Sequence, residues 1–405
     1  MHALKSKLTT RIATSVLGAL GVVVTLIGGT AAADAQGMPA PAPMSMPVPF
    51  PPMAGPLSDN PNPMSFDLGE LGEKVYVTGA VTGLAFWQNH ATGFFPGDFD
   101  SEADLSNAQV TIQKTDGLVQ YMIQAGEYST PSLGLPYIAS SKLVPLTFGV
   151  MPQAFLKIVP NENFSIQAGK LPTLIGDEYF YTFQNMNIER GLLWNQEPLV
   201  STGVQANYTN GPIALSLSLN DGYYSNRWNW VSGLAAYTID PMNTIALAAG
   251  GNMGRTGYGT TFATPTAQNN GSIYNVIYTH TDGPWVISPY FQYQQIGSDV
   301  KLGFAHSTSA VSGAVLVSYA FDDNFKLAGR FEYISTSGNG PNILYGNGSK
   351  AWSFTITPTY QYKIYFARAE FSYVGVSSGT VGAELGPFLD QTSQSRLMVE
   401  TGIIF

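Results

Sequence analysis

The chain has 405 residues, of which 44% are hydrophobic, 12% aromatic and only 11% charged, and it contains no cysteine. Average usage is about 25% charged residues, so few soluble domains have this composition. Abundant aromatic and β-branched residues exclude disorder of the whole chain, the lack of cysteine excludes disulfide scaffolds and thiolate metal sites, and a net charge of −9 argues against a nucleic-acid partner.

Residues 1–35 have the organisation of a secretory signal peptide. Three basic residues precede an apolar run over residues 12–27, and small residues follow it. The small-x-small pattern at residues 33–35 predicts cleavage before Gln36. An uncleaved anchor helix is the alternative, but the run is short for a span of about 20 residues. No other long apolar helix candidate is present, so we expect an exported protein rather than a helical membrane protein.

Residues 36–70 are rich in proline and are predicted to form an extended periplasmic linker. Proline fixes φ and removes backbone donors, which favours a polyproline-like spacer over a sheet. The segment also contains four thioethers that could bind Cu(I), which is the alternative to a simple tether: Met38, Met44, Met46 and Met53.

Residues 71–405 are predicted to form a transmembrane antiparallel β-barrel of about 16 strands, which is an all-β fold. Short runs of alternating apolar and polar residues recur from Val75 onward. They are separated alternately by tight turns, such as Asn210-Gly211-Pro212 and Gln361-Tyr362, and by longer loops. Tight turns at one end and long loops at the other are typical of outer-membrane barrels.

The polar face of these strands separates a membrane barrel from a soluble sandwich or propeller. In the strand before Gln361, the residues Trp352, Phe354 and Tyr360 share one face, and Ser and Thr occupy the other. A soluble sheet usually carries Lys and Glu on its outer face, whereas here Ser, Thr, Gln, Asn and Gly predominate. Tyrosine and phenylalanine also gather near the tight turns, as in the aromatic girdle of a membrane barrel.

Two segments resemble known outer-membrane proteins. The final strand ends on Phe405 with apolar residues at alternate positions, and it is similar to the C-terminal signature that the barrel-assembly machinery recognises. The segment from Gly169-Lys170 through Ile175-Gly176-Asp177-Glu178 and Asn185–Asn187 to Gly203-Val204 and Tyr208 resembles the OmpL-like β-barrel porin-2 family. The resemblance implies a channel in the outer membrane of a Gram-negative bacterium, with no named solute.

The longest loop after a well-defined strand covers residues 172–199 and follows the fifth predicted strand. In general porins the loop at that place folds into the barrel, so the resemblance makes it the candidate pore constriction. An outward surface loop is the alternative. The loop carries the charged residues Asp177, Glu178, Glu189, Arg190 and Glu197, of which the first four are the candidate constriction residues.

Alternation predicts which charged strand residues face the lumen. With Phe331 facing lipid, its neighbours on the strand face inward, and the same rule applies to the two last strands. The predicted lumen residues are Arg330, Glu332, Arg368, Glu370, Arg396 and Glu400. Two interpretations stay open. These arginines could form a wall opposite the acidic loop and set up a transverse field. Alternatively, Arg330 pairs with Glu332, and Arg368 pairs with Glu370.

The predicted function is passive diffusion of small hydrophilic solutes or ions through a water-filled porin. A structural or recognition barrel with a plugged lumen is the alternative. The mature chain has three histidines, His90, His280 and His306, and none sits in a catalytic spacing, so we expect neither an enzyme nor a cofactor or metal site. Expected partners are membrane lipid, the assembly machinery through Phe405, and two further copies in a homotrimer.

Overall fold

The computed structural model describes residues 55–69, 74–91, 100–257 and 262–405. These residues form seventeen strands: β1 Met64–Asp67, β2 Lys74–Gln88, β3 Ser101–Lys114, β4 Val119–Tyr128, β5 Gln153–Asn161, β6 Phe164–Pro172, β7 Val200–Asn210, β8 Ile213–Asn220, β9 Trp230–Asp240, β10 Asn243–Asn252, β11 Gly271–Asp282, β12 Trp285–Ile296, β13 Thr308–Ala320, β14 Phe325–Gly338, β15 Lys350–Tyr362, β16 Tyr365–Ser377 and β17 Ser393–Ile404.

Strands β2 to β17 form one closed antiparallel ring, in which every strand pairs with its neighbours in sequence. The ring closes where β17 pairs with β2, from Arg396 opposite Gln88 to Ile404 opposite Ala80. Closure gives every strand two partners and removes free edges, which suits a sheet within a bilayer. The predicted fold class, an antiparallel barrel of about 16 strands, is therefore confirmed.

Strand β1 lies within the segment predicted as a linker and adds a short hairpin to the rim. It pairs with the first residues of β2, from Met64 opposite Val77 to Asp67 opposite Lys74. The Phe405 backbone exchanges two hydrogen bonds with Gly79, of 2.8 and 2.9 Å, on the same edge of β2. Strand β1 therefore continues the line of β17 beyond the C-terminus. The predicted signal peptide and thioether sites lie outside the described residues.

Tight turns connect the strands at the end of the barrel that carries β1 and Phe405, and longer loops connect them at the opposite end. One predicted turn, at Gln361-Tyr362, is wrong by two residues: β15 continues to Tyr362, and the chain turns at Lys363, which has a left-handed φ of 55°. The loops carry two short helices, α1 Ser140–Leu146 and α2 Thr266–Asn269, and 3-10 turns at residues 182–184, 194–196 and 300–302. Within the described part of the chain, no helix has both the length and the apolarity to cross a membrane.

The two faces of the barrel wall differ sharply in polarity. In β8, Leu215, Leu217 and Leu219 are exposed on the outside of the ring, whereas Ser218 and Asn220 are buried inside it. The same pattern holds in β15, where Trp352 and Phe354 are exposed and the intervening Ser and Thr are buried. The outside is therefore apolar and the inside polar, which is the reverse of a water-soluble protein.

Aromatic rings form a belt at the tight-turn end of the barrel. Trp285 lies 4.6 Å from Tyr319, Tyr319 lies 4.9 Å from Phe321, and Phe321 lies 5.3 Å from Phe325, measured between ring centroids. These rings follow the rim across β12, β13 and β14. Amphipathic rings in this position suit the boundary between hydrocarbon and lipid headgroups.

The polarity of the wall predicts that a charge at a given depth is tolerated on the inner face but not on the outer face. Leu217→Lys places an ammonium on the apolar outer face and should destabilise the folded barrel in the bilayer by about 2–4 kcal/mol. Ser216→Lys, one residue away on the inner face, should cost much less. Urea titrations in lipid vesicles measure both values, and equal losses would contradict the assigned faces.

Candidate pore constriction

The segment between β6 and β7, residues 173–199, is almost entirely buried inside the ring. Its apolar side chains enter separate buried clusters around the inner wall. Leu192 packs in a cluster with Ile334, and Ile188 packs in one with Phe86 and Met398. We refer to residues 173–199 as the inner loop.

The inner loop owes its shape to local hydrogen bonds. The Asn185 amide accepts from the Tyr179 backbone N–H at 2.7 Å, and it donates to the carbonyls of Tyr179 and Tyr181 at 2.9 and 2.7 Å. One side chain therefore satisfies three backbone groups that have no strand partner. Gly191 permits close approach to the wall, because a Cβ there would lie 2.1 Å from Glu332 Oε1.

Two glutamates of the wall bind consecutive backbone N–H groups of the inner loop. The Glu332 carboxylate on β14 accepts from Leu192 and Leu193 at 3.0 and 3.1 Å. The Glu370 carboxylate on β16 accepts from Ile188 and Glu189 at 2.5 and 2.9 Å. Hydrogen bonds to a charged acceptor are stronger than neutral ones. These two carboxylates therefore fix the inner loop against β14 and β16.

The wall arginines bind the inner loop in the same region. Arg330 Nη1 on β14 donates to Glu178 Oε1 at 2.5 Å and to the Glu189 carbonyl at 2.7 Å. Arg396 on β17 forms an ion pair with Glu189 and donates to Gln88 Oε1 at 2.9 and 2.6 Å. The ion pairs cross from wall to loop, so each one adds to the attachment of the loop.

Arg368 pairs with Glu400 rather than with Glu370. Its Nε and Nη2 donate to Glu400 Oε2 at 2.8 and 2.6 Å, and its Nη1 donates to the Asn185 carbonyl at 3.1 Å. Arg368 and Glu400 are directly opposite in the ladder between β16 and β17. Facing residues on neighbouring strands approach more closely than residues two apart on one strand, which explains this choice of partner. The expected contact between Arg330 and Glu332 is present at 3.3 Å.

The structure brings nine of the ten candidate residues together: Glu178, Glu189, Arg190, Arg330, Glu332, Arg368, Glu370, Arg396 and Glu400. Arg190 is fully buried and donates to the Phe180 carbonyl at 3.0 Å. Asp177 lies apart from them and accepts from Ser288 Oγ of β12 at 2.5 Å. That these residues narrow a pore stays a prediction, since the contacts establish attachment of the loop.

Glu197 is a further acidic residue of the inner loop, and no arginine in the described part of the chain pairs with it. Tyr290 on β12 donates to its Oε1, and its Oε2 has no hydrogen-bond partner. Burial, with the nearby carboxylates of Glu178 and Asp177, raises the pKa of Glu197 well above its usual range. Tyr290 could have been identified from the sequence, because alternation along β12 places it inward with Gln292.

The different environments of Glu197 and Glu189 predict opposite results for the same substitution. Glu197→Gln should raise the free energy of unfolding at pH values above 4.5, because glutamine resembles the protonated acid and needs no proton uptake on folding. Glu189→Gln should lower it by about 3–5 kcal/mol, because Arg396 loses its buried counterion. Denaturant titrations followed by tryptophan fluorescence provide the comparison, and equal losses in the two variants would contradict it.

The raised pKa of Glu197 also predicts how the stability of the fold changes with pH. Its stabilising contribution is fully present below the unfolded pKa of 4.5 and is lost as the pH rises through the folded value. Glu197→Gln should therefore flatten the part of the stability profile above pH 4.5.

Solved structures with the same fold are outer-membrane proteins. In-vitro folded OmpT, an outer membrane protein of Vibrio cholerae, the anion-selective porin from Comamonas acidovorans, and the outer membrane channel DcaP of Acinetobacter baumannii each match with a TM-score of 0.56. Their sequence identities are 12%, 12% and 11%, and the matches cover 82%, 82% and 83% of this chain and 97%, 99% and 99% of theirs. Such low identity shows a shared fold. A comparison with curated proteins finds no match.

The family comparison covers the whole barrel. The family described as "Putative beta-barrel porin-2, OmpL-like" matches residues 74–405, from the first residue of β2 to Phe405. That range contains the inner loop and all the wall residues that bind it. The chain belongs to this family of OmpL-like β-barrel porins.

Proposed function

We propose that the chain is an outer-membrane porin through which small hydrophilic solutes diffuse passively. The observation that carries this proposal is the closed ring of sixteen strands with a polar inner face and an apolar outer face. A barrel of this size encloses an aqueous lumen, and an apolar outer band suits lipid. Membership of a porin family supports the same function.

We infer weak ion selectivity from the distribution of inward side chains. The wall arginines and glutamates that bind the inner loop all lie on β14, β16 and β17, where they are buried with their partners. The inner face from β3 to β7 instead carries many neutral amides, which are also buried: Gln109, Gln113, Gln120, Gln124, Gln153, Gln167, Gln205 and Asn207. Amides favour neutral polar solutes and exert little long-range field on ions.

We propose that the inner loop is the constriction. The loop is bound by charged residues of β14, β16 and β17, by β12 through Ser288 and Tyr290, and by β3, where Asn107 Nδ2 donates to Thr182 Oγ1 at 2.7 Å. On another side a cavity of about 210 Å³ lies beside it, lined by Gln153 of β5 and by the loop residues Asp177, Tyr179 and Gln184. The cavity leaves space between the loop and Gln153 of β5, and we propose that solutes pass on that side.

Single-channel recording of the refolded mature protein in planar bilayers tests the channel. Long-lived open steps with a small reversal potential in a salt gradient are expected. A correctly folded barrel that never conducts would instead support the structural or recognition barrel with a plugged lumen.

The double variant Glu332→Gln/Glu370→Gln tests the constriction. Each glutamine replaces one acceptor oxygen by a donor amide, so backbone N–H groups of the inner loop lose partners and the loop should loosen. Larger and noisier conductance steps are expected. The control Glu162→Gln/Asp323→Asn removes two exposed carboxylates from tight turns and should leave the steps unchanged. Identical traces from both double variants would contradict the role of the loop.

We propose that the protein acts as a channel and has no enzymatic activity. His90 Nδ1 contacts the Ser393 carbonyl at 2.6 Å, and His280 Nδ1 contacts Asn243 Oδ1 at 2.8 Å. Both contacts fix loop or turn structure. Neither joins a histidine to a hydroxyl nucleophile, which a hydrolase of the serine type requires.

We propose a homotrimer as the assembled form. A trimer form of OmpT from Vibrio cholerae shares the fold, with a TM-score of 0.53 at 12% identity. On the outer wall, the small side chains of Ala85, Ala367, Ala369 and Val399 line a groove of about 620 Å³ that a second barrel could fill. Light scattering of the detergent-solubilised protein should give three times the mass of the chain, and a monomer mass would contradict the trimer.

We also propose that the N-terminal segment is periplasmic and that the assembly machinery binds the final strand through Phe405. The tight turns, β1 and Phe405 all lie at one end of the barrel. Short turns face the periplasm in outer-membrane barrels, which supports this orientation.

A further inference from the structure

Residues 55–58 lie inside the tight-turn end of the barrel. The Leu57 side chain is only 2% exposed, and it belongs to the buried apolar cluster that contains Phe366 of β16 and Ile404 of β17. A leucine inside a polar barrel needs such a cluster to be stable. The segment is therefore packed against the wall rather than extended away from it.

A side chain of the wall also binds the backbone of this segment. The Ser58 N–H donates to Gln361 Oε1 at 2.8 Å, and Gln361 Nε2 donates to the Ser58 carbonyl at 2.8 Å. Lys326 Nζ lies 3.3 Å from Ser58 Oγ. The Gln361 amide thus satisfies both backbone groups of one residue, as a neighbouring strand would. These contacts fix Ser58 against β14 and β15.

The same segment contacts the inner loop. A Cβ on Gly55 would lie only 2.5 Å from the Asn185 carbonyl oxygen, so the two backbones are in direct contact and glycine is required. Arg368 Nη1 donates to that same carbonyl at 3.1 Å. Residues 55–58 therefore touch the loop where a wall arginine binds it.

The chain then leaves the lumen and is attached at the rim. Asn60 and Asn62 form a turn, in which the Asn62 N–H donates to Asn60 Oδ1 at 3.0 Å, and β1 follows on the edge of β2. Residues 55–58 are thus tethered at a fixed point close to the barrel mouth. A short tether keeps the local concentration of the segment high, so it returns quickly after release.

We propose that residues 55–58 form an N-terminal latch. The latch contacts the inner loop from the tight-turn end of the barrel and restricts the periplasmic mouth of the channel. This inference rests on the channel function proposed above and names its regulation. One apolar side chain, the Gln361 amide, Lys326 and the contact with Asn185 hold the segment, and with so few contacts the docked and released states exchange readily. Release of the latch opens the mouth and removes its contact with the inner loop at Asn185.

The first test changes the buried side chain. Leu57→Asp places an unpartnered carboxylate in the apolar cluster, and the released fraction should rise by about tenfold. Single-channel traces should lose their lower conductance level, and sugar-driven swelling of vesicles should accelerate. Met64→Asp is the matched control, because Met64 lies on the same tail with its side chain 56% exposed. Equal traces for both variants would overturn the latch.

The second test reverses the effect within one molecule. The chain contains no cysteine, so Ser58→Cys/Gln361→Cys introduces the only two thiols. A short bis-maleimide with an internal disulfide joins them, and reductant cleaves it. Conductance should be low after cross-linking and should rise after cleavage. Unchanged conductance through this cycle would overturn the latch but leave the porin function in place, whereas silence of the wild type and all variants would contradict the porin itself.

Discussion

The ring closure between β17 and β2 is the constraint on which the rest of the structure depends. A strand within hydrocarbon has no water to bind its backbone, so each edge must find another strand. Closure provides that partner and at the same time defines an inside and an outside. Once the ring exists, each side chain of a strand faces either the lipid or the lumen. Alternation directs apolar side chains to the lipid and polar ones to the lumen.

Charged side chains inside the barrel are costly to bury, because groups enclosed by protein lose their hydration. The wall on β14, β16 and β17 resolves this problem by using the charges as ligands for the inner loop. Glu332 and Glu370 bind backbone N–H groups that have no strand partner, and Arg330 binds a loop carbonyl and Glu178. Each charged group thus satisfies a polar group that would otherwise be costly to bury. The loop and the charged part of the wall stabilise each other.

The sequence predicted the barrel well because alternation is a local pattern, and every strand repeats it. Inward placement of Arg368 and Glu400 follows from that pattern alone. Their pairing could not be predicted, since it depends on the register between β16 and β17. The turn at Lys363 was missed because neither Lys363 nor Ile364 is a typical turn residue. The position of Leu57 had no signal at all, because a single leucine in a proline-rich segment shows no periodicity.

The site of Leu57 also has a consequence for the order of assembly. Phe366 and Ile404, which share its buried cluster, belong to the last hairpin of the chain, whereas Leu57 precedes the first strand of the ring. The apolar cluster is therefore incomplete until the final hairpin has formed and β17 has joined β2. Docking of residues 55–58 becomes a late event that depends on a completed ring. An unfinished barrel would leave this segment undocked, which distinguishes an immature protein from a finished one.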